Sequence, residues 1–407
     1  MSGLLEFGDI SHLFRGSEVE PFEFVRGFVK EYGKLPKPET ILEHTGEELV
    51  AGAEPSAYYH DKLVLRHTEL VVKTTIKKAN EFLAADNKDP EAAMKVMADA
   101  VIQAMSKKHS KQIVDFREAF DLLWPEYLAK KLKNGKGGLR FGWPYLDGMA
   151  GGVVKGDVVS FVGRPASGKT FQMLYAALHG WRQAGPNVEP DNDQSRMFVS
   201  MEMNILPIEQ RLAAMQTHMN LTHVKNSGLG TPGVKKFKDG LMEIKGYGPP
   251  FYIIDGNLTA TVEDVYMMAR QLKPAAIFID GGYLLQHPHE RDQYKRVAVN
   301  ANLIKQNLAA LAPTVVSWQF NRDAAKKSKK KGETVGLEDI GSTDVIGQVS
   351  SLVLGIFEEE NIETVKTRKI QVLKGRSGET GEFRTRWDFA HMNFDEIAEV
   401  EVEDLQF

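Results

Sequence analysis

Cysteine is absent from all 407 residues. That absence removes disulfides, thiolate-held metals and cysteine nucleophiles at one stroke. Long hydrophobic runs are missing too: no uninterrupted apolar stretch approaches the roughly 18–20 residues of a membrane span. The opening MSGLLEFGDISHLF lacks the ordered basic, apolar and small-residue sections of a secretory signal. Positive charge is not in excess either. With a formal net charge of −4, the overall field repels phosphate, so any polyanionic partner must be met by a local patch. The expectation is a soluble, cytoplasmic protein with no membrane partner.

What is present is ordinary globular material, 42% apolar and 26% charged, enough for a sizeable core. The length suits two domains, or one large domain with an appendage. Residues 1–110 predict a small all-α domain. Apolar residues recur at helical spacing in PFEFVRGFVKEYG, HDKLVLRHTELVVKTTIKKANEFLAA and DPEAAMKVMADAVIQAM. Asp89-Pro90 starts the third of these, and KLPKPET (34–40) reads as a Pro-punctuated connector. Residues 111–138 predict a linker helix, interrupted at Pro125, and then a flexible joint at KNGKGG. From 139 to about 400 short β-branched runs alternate with helical patterns, which predicts a mostly parallel α/β sheet with flanking helices. The runs are DVVSFVG, SRMFVSME, PFYIID, AAIFID and PTVVSWQF. The tail, SSLVLGIFEE followed by RKIQVLKGR and EFRTRWDF, predicts an antiparallel extension at one edge.

Gly163-Arg164-Pro165-Ala166-Ser167-Gly168-Lys169-Thr170 matches the phosphate-holding pattern G-x-x-x-x-G-K-[ST], with a predicted strand before it and a helix after it. The glycines let backbone N–H groups turn inward around phosphate, and the helix N-terminus adds positive potential. Lys169 is placed for the β and γ phosphates, and Thr170 for Mg²⁺. ATP and Mg²⁺ are the ligands this chemistry implies. The remaining parts of such a site belong at the carboxyl ends of the other strands. Asp280 ends AAIFID and suits a cation held through water. Asp255 ends PFYIID and competes with it, but the turn and cap residues that follow rank it second. Glu202 ends SRMFVSME, where a carboxylate can orient and deprotonate water, beside the phosphate-loop strand if those two strands pair. Gln319 ends PTVVSWQF with an amide suited to sensing a γ-phosphate. Lys374 and Arg376 lie near the predicted C-terminal hairpin turn and act in cis, as plain surface charge, or across a subunit boundary.

The order of these pieces resembles the RecA-like ATPases, and among them the DnaB-type hexameric replicative helicases. The resemblance covers about residues 112–395. Its most specific pieces are GLRFGWPYLDGMAGGVVKGDVVSFVGRPASGKT, FVSMEM, IFID, SWQFNR, the Gly-Ser of EDIGS, and LKGRSGETG. It implies Lys169 and Thr170 on ATP–Mg²⁺, Glu202 as general base, Asp280 as the Walker B carboxylate and Gln319 as the γ-phosphate sensor. Lys374 and Arg376 become trans-acting cations on a neighbour's nucleotide. It also implies a homo-hexamer on single-stranded DNA at a forked duplex, moving 5′ to 3′, with a primase and a helicase loader as partners. The helical first domain resembles a shortened form of the family's collar. Two departures stand out. Glu338 and Asp339 replace the arginine and glutamate usual before the Gly-Ser, and Gly281-Gly282 intervene between Asp280 and Tyr283.

Between Gln319 and Gly341-Ser342 lie Lys326, Lys327, Lys329, Lys330 and Lys331, five cations within six positions. Such a run is usually a solvated loop. Its place between a sensor and a DNA-facing loop makes it a candidate phosphate grip alongside Gly341 and Ser342. Two other functions fit the same motifs: a filament-forming recombinase or mediator, and a nucleotide-gated DNA scaffold that is no motor.

Overall fold

The computed structural model describes residues 10–32, 34–47, 54, 56–84, 88–106, 116, 119–132, 138–182, 194–320, 336–337, 340, 344–358, 366–376 and 378–397. The chain divides into two compact units, Met1–Glu126 and Tyr127–Phe407. The helix Ala119–Leu132, which carries Pro125, lies within the stretch 111–138 that the sequence predicts as linker helix and joint.

The first unit is helical. α1 (Val19–Tyr32), α2 (Pro38–Thr45), α3 (Ser56–Ala84) and α4 (Pro90–Ser106) form in order, and Ile10, Leu13 and Phe22 make a small buried cluster. Asp89 caps α4 as expected, accepting from the Ala92 amide at 2.9 Å. α2 begins within the predicted connector. Pro38 sits at its first turn, where the missing N–H is no loss, so the proline that reads as a breaker is a starter.

The second unit is built on one eight-stranded sheet, β1 (Val158–Gly163), β2 (Arg196–Ser200), β3 (Phe251–Asp255), β4 (Ala276–Asp280), β5 (Thr314–Gln319), β6 (Leu352–Phe357), β7 (Thr367–Lys374) and β8 (Gly381–Arg386). Their spatial order is β3-β2-β4-β5-β1-β6-β7-β8. The first six pair in parallel and the last two antiparallel. β1, β2, β4 and β6 are buried along their whole length, as sheets covered on both faces must be. The crossover from β1 to β2 is a helix, Lys169–Arg182. The lead-in to β1 packs as core: Phe141, Trp143 and Leu146 are buried. The Trp143 indole donates to the Phe394 carbonyl at 3.1 Å. Two helices unassigned from sequence, Leu221–Lys225 and Thr231–Lys245, precede β3. Among the described residues no helix is long and apolar enough to cross a membrane.

Candidate active site

Strand register brings the strand-end residues to one edge. Gly163 of β1 stands opposite Gln319 of β5, and Ser200 of β2 stands opposite Asp280 of β4. One expectation is corrected here. β2 pairs with β3 and β4, not with β1, so two strands, β4 and β5, lie between the strand that leads to Glu202 and the phosphate-loop strand. The physical reason is the crossover: the helix leaving β1 passes over β5 and β4 before the chain re-enters the sheet as β2. That same helix closes the gap, because its first turn carries Lys169 and Thr170 across the sheet edge.

Thr170 Oγ1 donates to Asp280 Oδ2 at 2.7 Å, and Ser317 Oγ donates to Asp280 Oδ1 at 2.9 Å. Asp280 is only 1% exposed. Burial pushes its carboxyl above the usual range, against the two hydroxyls that favour the charged form. Lys169 is buried as well, and burial pushes its ammonium down while Asp280 and Glu202 oppose the shift. Its Nζ donates to the carbonyls of Gly163 at 3.2 Å and Arg164 at 3.0 Å. Asp255, by contrast, ends the edge strand β3 exposed, its carboxylate accepting from the Asn257 amide at 2.8 Å. It belongs to a turn, and Asp280 is the carboxylate at the phosphate loop.

The loop is shaped for an anion and a cation together. Ser167 is buried with no hydrogen-bond partner for its hydroxyl among the described residues. A buried hydroxyl of this kind is costly unless something else satisfies it. The donor set of Lys169, the Ser167 hydroxyl, the Thr170 hydroxyl and the Asp280 carboxylate fits a nucleotide phosphate with Mg²⁺. Over the loop lies the Trp387 indole, so close that a methyl group at Gly168 would run into it. The Arg368 guanidinium stacks on that ring at 4.2 Å and its Nε donates to the Ser167 carbonyl at 3.2 Å.

Sequence reasoning missed four residues around the candidate site. Arg211 packs at 4.3 Å over Phe171 and feels both Asp280 and Glu202; an arginine among the apolar positions of LPIEQRLAAM is the signal that marks it. Trp387 and Arg368 come from the C-terminal extension, and only the strand alternation of TRWDF hints at an inward ring. The fourth is Tyr283, whose hydroxyl donates to Glu202 Oε1.

Lys374 and Arg376 lie elsewhere. Lys374 ends β7 opposite Val353, near the start of β6, and donates to the Gly347 carbonyl at 2.7 Å. Arg376 pairs with Asp157, the residue before β1. Both therefore occupy the sheet edge opposite their own phosphate loop, about one strand length away. The lysines Lys326, Lys327, Lys329, Lys330 and Lys331, with Glu338, Asp339, Gly341 and Ser342, lie outside the described residues. The stems of that loop are described. Phe320 and Ile340 form an antiparallel bridge, and Arg164 of the phosphate loop donates to the Phe320 carbonyl at 3.1 Å.

Comparison with known proteins agrees with this fold. The model of the DnaB-like helicase C-terminal domain family matches residues 138–396. The replicative DNA helicase DnaB of Haemophilus influenzae is 25% identical over 340 residues, covering 76% of this chain and 66% of that protein. Its counterpart in Rickettsia bellii is 25% identical over 235 residues, 55% of this chain and 45% of the relative. The chain thus spans between about half and two thirds of these curated relatives. A solved DnaB-like replicative helicase, described with its interactions with primase, superposes with a TM-score of 0.60 at 17% identity, covering 98% of both chains. A second solved structure, an isolated ATPase domain, gives 0.60 at 19% identity, over 70% of this chain and 100% of that one. The family match spans more than half of the chain and contains the phosphate loop and every strand of the sheet, and the chain belongs to the family of DnaB-like helicase C-terminal domains.

Proposed function

We propose that this chain is an ATP-driven replicative DNA helicase that works as a hexameric ring on single-stranded DNA and opens a forked duplex in the 5′ to 3′ direction. The observation that carries the reading is the joining of nucleotide loop and DNA-loop stem: Arg164 inside the phosphate loop holds the Phe320 carbonyl, where the lysine-bearing segment departs. A change at the phosphates is thereby felt by that segment within one hydrogen bond. The Phe320–Ile340 bridge ties the two ends of that stretch together.

The roles follow from position. Lys169 and the Ser167 hydroxyl would bind the phosphates; Thr170, and Asp280 through water, would hold Mg²⁺, which would supply charge neutralisation there. Glu202, exposed at the end of β2, orients the attacking water and takes its proton. Gln319 senses the γ-phosphate. The Trp387 and Arg368 pair offers a flat face beside the loop, a surface suited to the nucleobase. Arg376 and Lys374 stand too far from their own loop to act on it, which supports their use on a neighbour's nucleotide. The lysine run, with Gly341 and Ser342, grips the DNA backbone. A primase and a loader are the partners the family implies, consistent with a neighbour described with its primase interactions.

Strand displacement on a forked duplex with a 5′ or a 3′ tail tests the reading, wild type beside Lys169→Ala. The wild type is expected to open the fork it can enter by a 5′ tail. Lys169→Ala should fall by at least about 100-fold in hydrolysis, the usual cost of one lost charge-stabilising donor, and open neither fork. A wild type that hydrolyses ATP but opens neither substrate refutes the helicase and favours a recombinase or mediator.

A further inference from the structure

The four residues before β1, Val154-Lys155-Gly156-Asp157, make a tight turn, closed by the Asp157 amide on the Val154 carbonyl at 3.0 Å. Gly156 has φ +94°, the left-handed backbone that the third position of a type II turn requires. The turn is fastened from several sides. The Gly156 amide donates to the Ala309 carbonyl at 2.7 Å, and the Asp157 carbonyl accepts from the Thr314 amide of β5 at 3.1 Å. Lys305 Nζ donates to the Gly156 carbonyl at 2.7 Å. The Asp157 side chain is held as closely, its Oδ2 accepting from the Val154 amide at 2.9 Å and its Oδ1 from the Ser351 hydroxyl at 2.8 Å. This carboxylate is therefore a fixed point. Beyond its own turn and β6 it holds Arg376, whose Nη2 donates to Oδ2.

Packing does little to fix that arginine. It stands just past the end of β7, its side chain half exposed, and it lines a cavity together with Ser351, Gly375 and Glu379. A long side chain beside open space keeps many rotamers unless a partner selects one. We propose that Asp157 is the positioning residue of Arg376, setting the angle from which the guanidinium meets the phosphates of a neighbour's nucleotide. The inference rests on the functional reading above, in which Arg376 acts across a subunit boundary. A guanidinium carries five N–H donors in a rigid fork. One donor spent on Asp157 leaves others for an anion and fixes where they point. The two further bonds to Val154 and Ser351 keep the carboxylate in place while the arginine engages.

Asp157→Asn is close to isosteric. Its amide can accept from Val154 and donate to the Ser351 hydroxyl, but the charge that holds Arg376 is gone. Steady-state ATP hydrolysis with Mg²⁺ and single-stranded DNA is measured for this variant, for Arg376→Ala and for the double variant. The expected kcat of Asp157→Asn is about 10- to 100-fold below wild type, the cost of a reacting group displaced by about 1 Å. KM for ATP stays within about twofold, and the double variant falls no further than Arg376→Ala, since one residue acts through the other. Mixing separates positioning from damage. Lys169→Ala subunits bring an intact Asp157 and Arg376, so they restore turnover at the Asp157→Asn phosphate loops, while Arg376→Ala subunits do not. Damage to the variant's own β1 and phosphate loop gives the reverse pattern. If Asp157→Asn fails to fold by circular dichroism, Asp157→Glu, which moves the charge outward by one methylene, takes its place with the same expectations. An unchanged or raised kcat in the folded variant, a double variant well below Arg376→Ala, or the reverse mixing pattern overturns the proposal. An Arg376→Ala protein as active as wild type overturns the functional reading beneath it instead, so the two failures are told apart.

Discussion

Asp280, the carboxylate proposed to hold Mg²⁺, sits in the fold at a cost. It is almost fully buried, and its charge is favoured by two hydroxyls and the Lys169 ammonium but opposed by burial, which dominates. A neutral amide of the same shape keeps the geometry: an asparagine side chain there would accept from Ser317 and donate to Thr170. Asp280→Asn is therefore expected to stabilise the nucleotide-free protein by on the order of 1 kcal/mol. For a unit of this size that is a rise in Tm of about 2–4 °C. The same variant should lose the extra thermal stabilisation that wild type gains from ATP and Mg²⁺. Thermal denaturation with and without the nucleotide measures both effects, and a lowered Tm without nucleotide would contradict the assignment of burial as the leading cost. At this scale the sequence is informative wherever chemistry sits in a local motif: Lys169 and Thr170 are legible in eight consecutive residues, and Asp280 as the end of an apolar run. Tyr283 is not legible, because its meaning comes from Glu202, 81 positions away.

Among the elements, the strands were the most readable, since four of them are buried end to end and so appear as continuous β-branched or aromatic runs. Helix α2 was hidden by its prolines, and the helix Thr231–Lys245 by the NSGLGTPG stretch that runs into its first turn and reads as loop. The pairing of β2 was also hidden. Its sequence says that it is a buried strand, but hydrophobicity is the same whichever neighbour lies alongside. The segment between Phe320 and Ile340 has its own test. If the five lysines grip a DNA backbone, replacing Lys326, Lys327, Lys329, Lys330 and Lys331 by glutamine should flatten the salt dependence of single-strand binding. The expected change is up to roughly 0.7 in log–log slope for each phosphate no longer neutralised. Nucleotide binding at the phosphate loop should stay as in wild type. An unchanged slope in a filter-binding or anisotropy titration would make the run an ordinary solvated loop.

At the scale of the whole molecule, the sheet separates Arg376 from its own phosphate loop, and this makes the arginine a probe of assembly. Its bond to Asp157 is half exposed, and such pairs add little to stability. Asp157 keeps its bonds from the Val154 amide at 2.9 Å and the Ser351 hydroxyl at 2.8 Å, so Arg376→Ala should fold normally. Its hydrolysis is nevertheless expected to fall by about 10³-fold or more, as for a lost arginine finger. Mixing it with Lys169→Ala, itself inactive, should restore turnover. A random mixed ring pairs an intact loop with an intact arginine at roughly a quarter of its interfaces. Recovery toward that fraction of wild-type ATP hydrolysis supports action in trans, and a mixture that stays inactive rules it out.

By itself the sequence determined the parts: a phosphate loop between strand and helix, the acidic and amide strand ends, an all-α unit before an α/β unit, and the family pattern they compose. These are written in local patterns of residue type and spacing, which follow from backbone geometry over a few turns or one strand. Only the tertiary structure decided how the parts meet. It put β4 and β5 between β1 and β2, set Asp280 rather than Asp255 against Thr170, sent Arg376 to the far edge, and turned two glycines into the bend that sets Tyr283 on Glu202. Each of those outcomes depends on contacts between residues far apart in the chain, where burial and steric fit select one arrangement and local composition is silent.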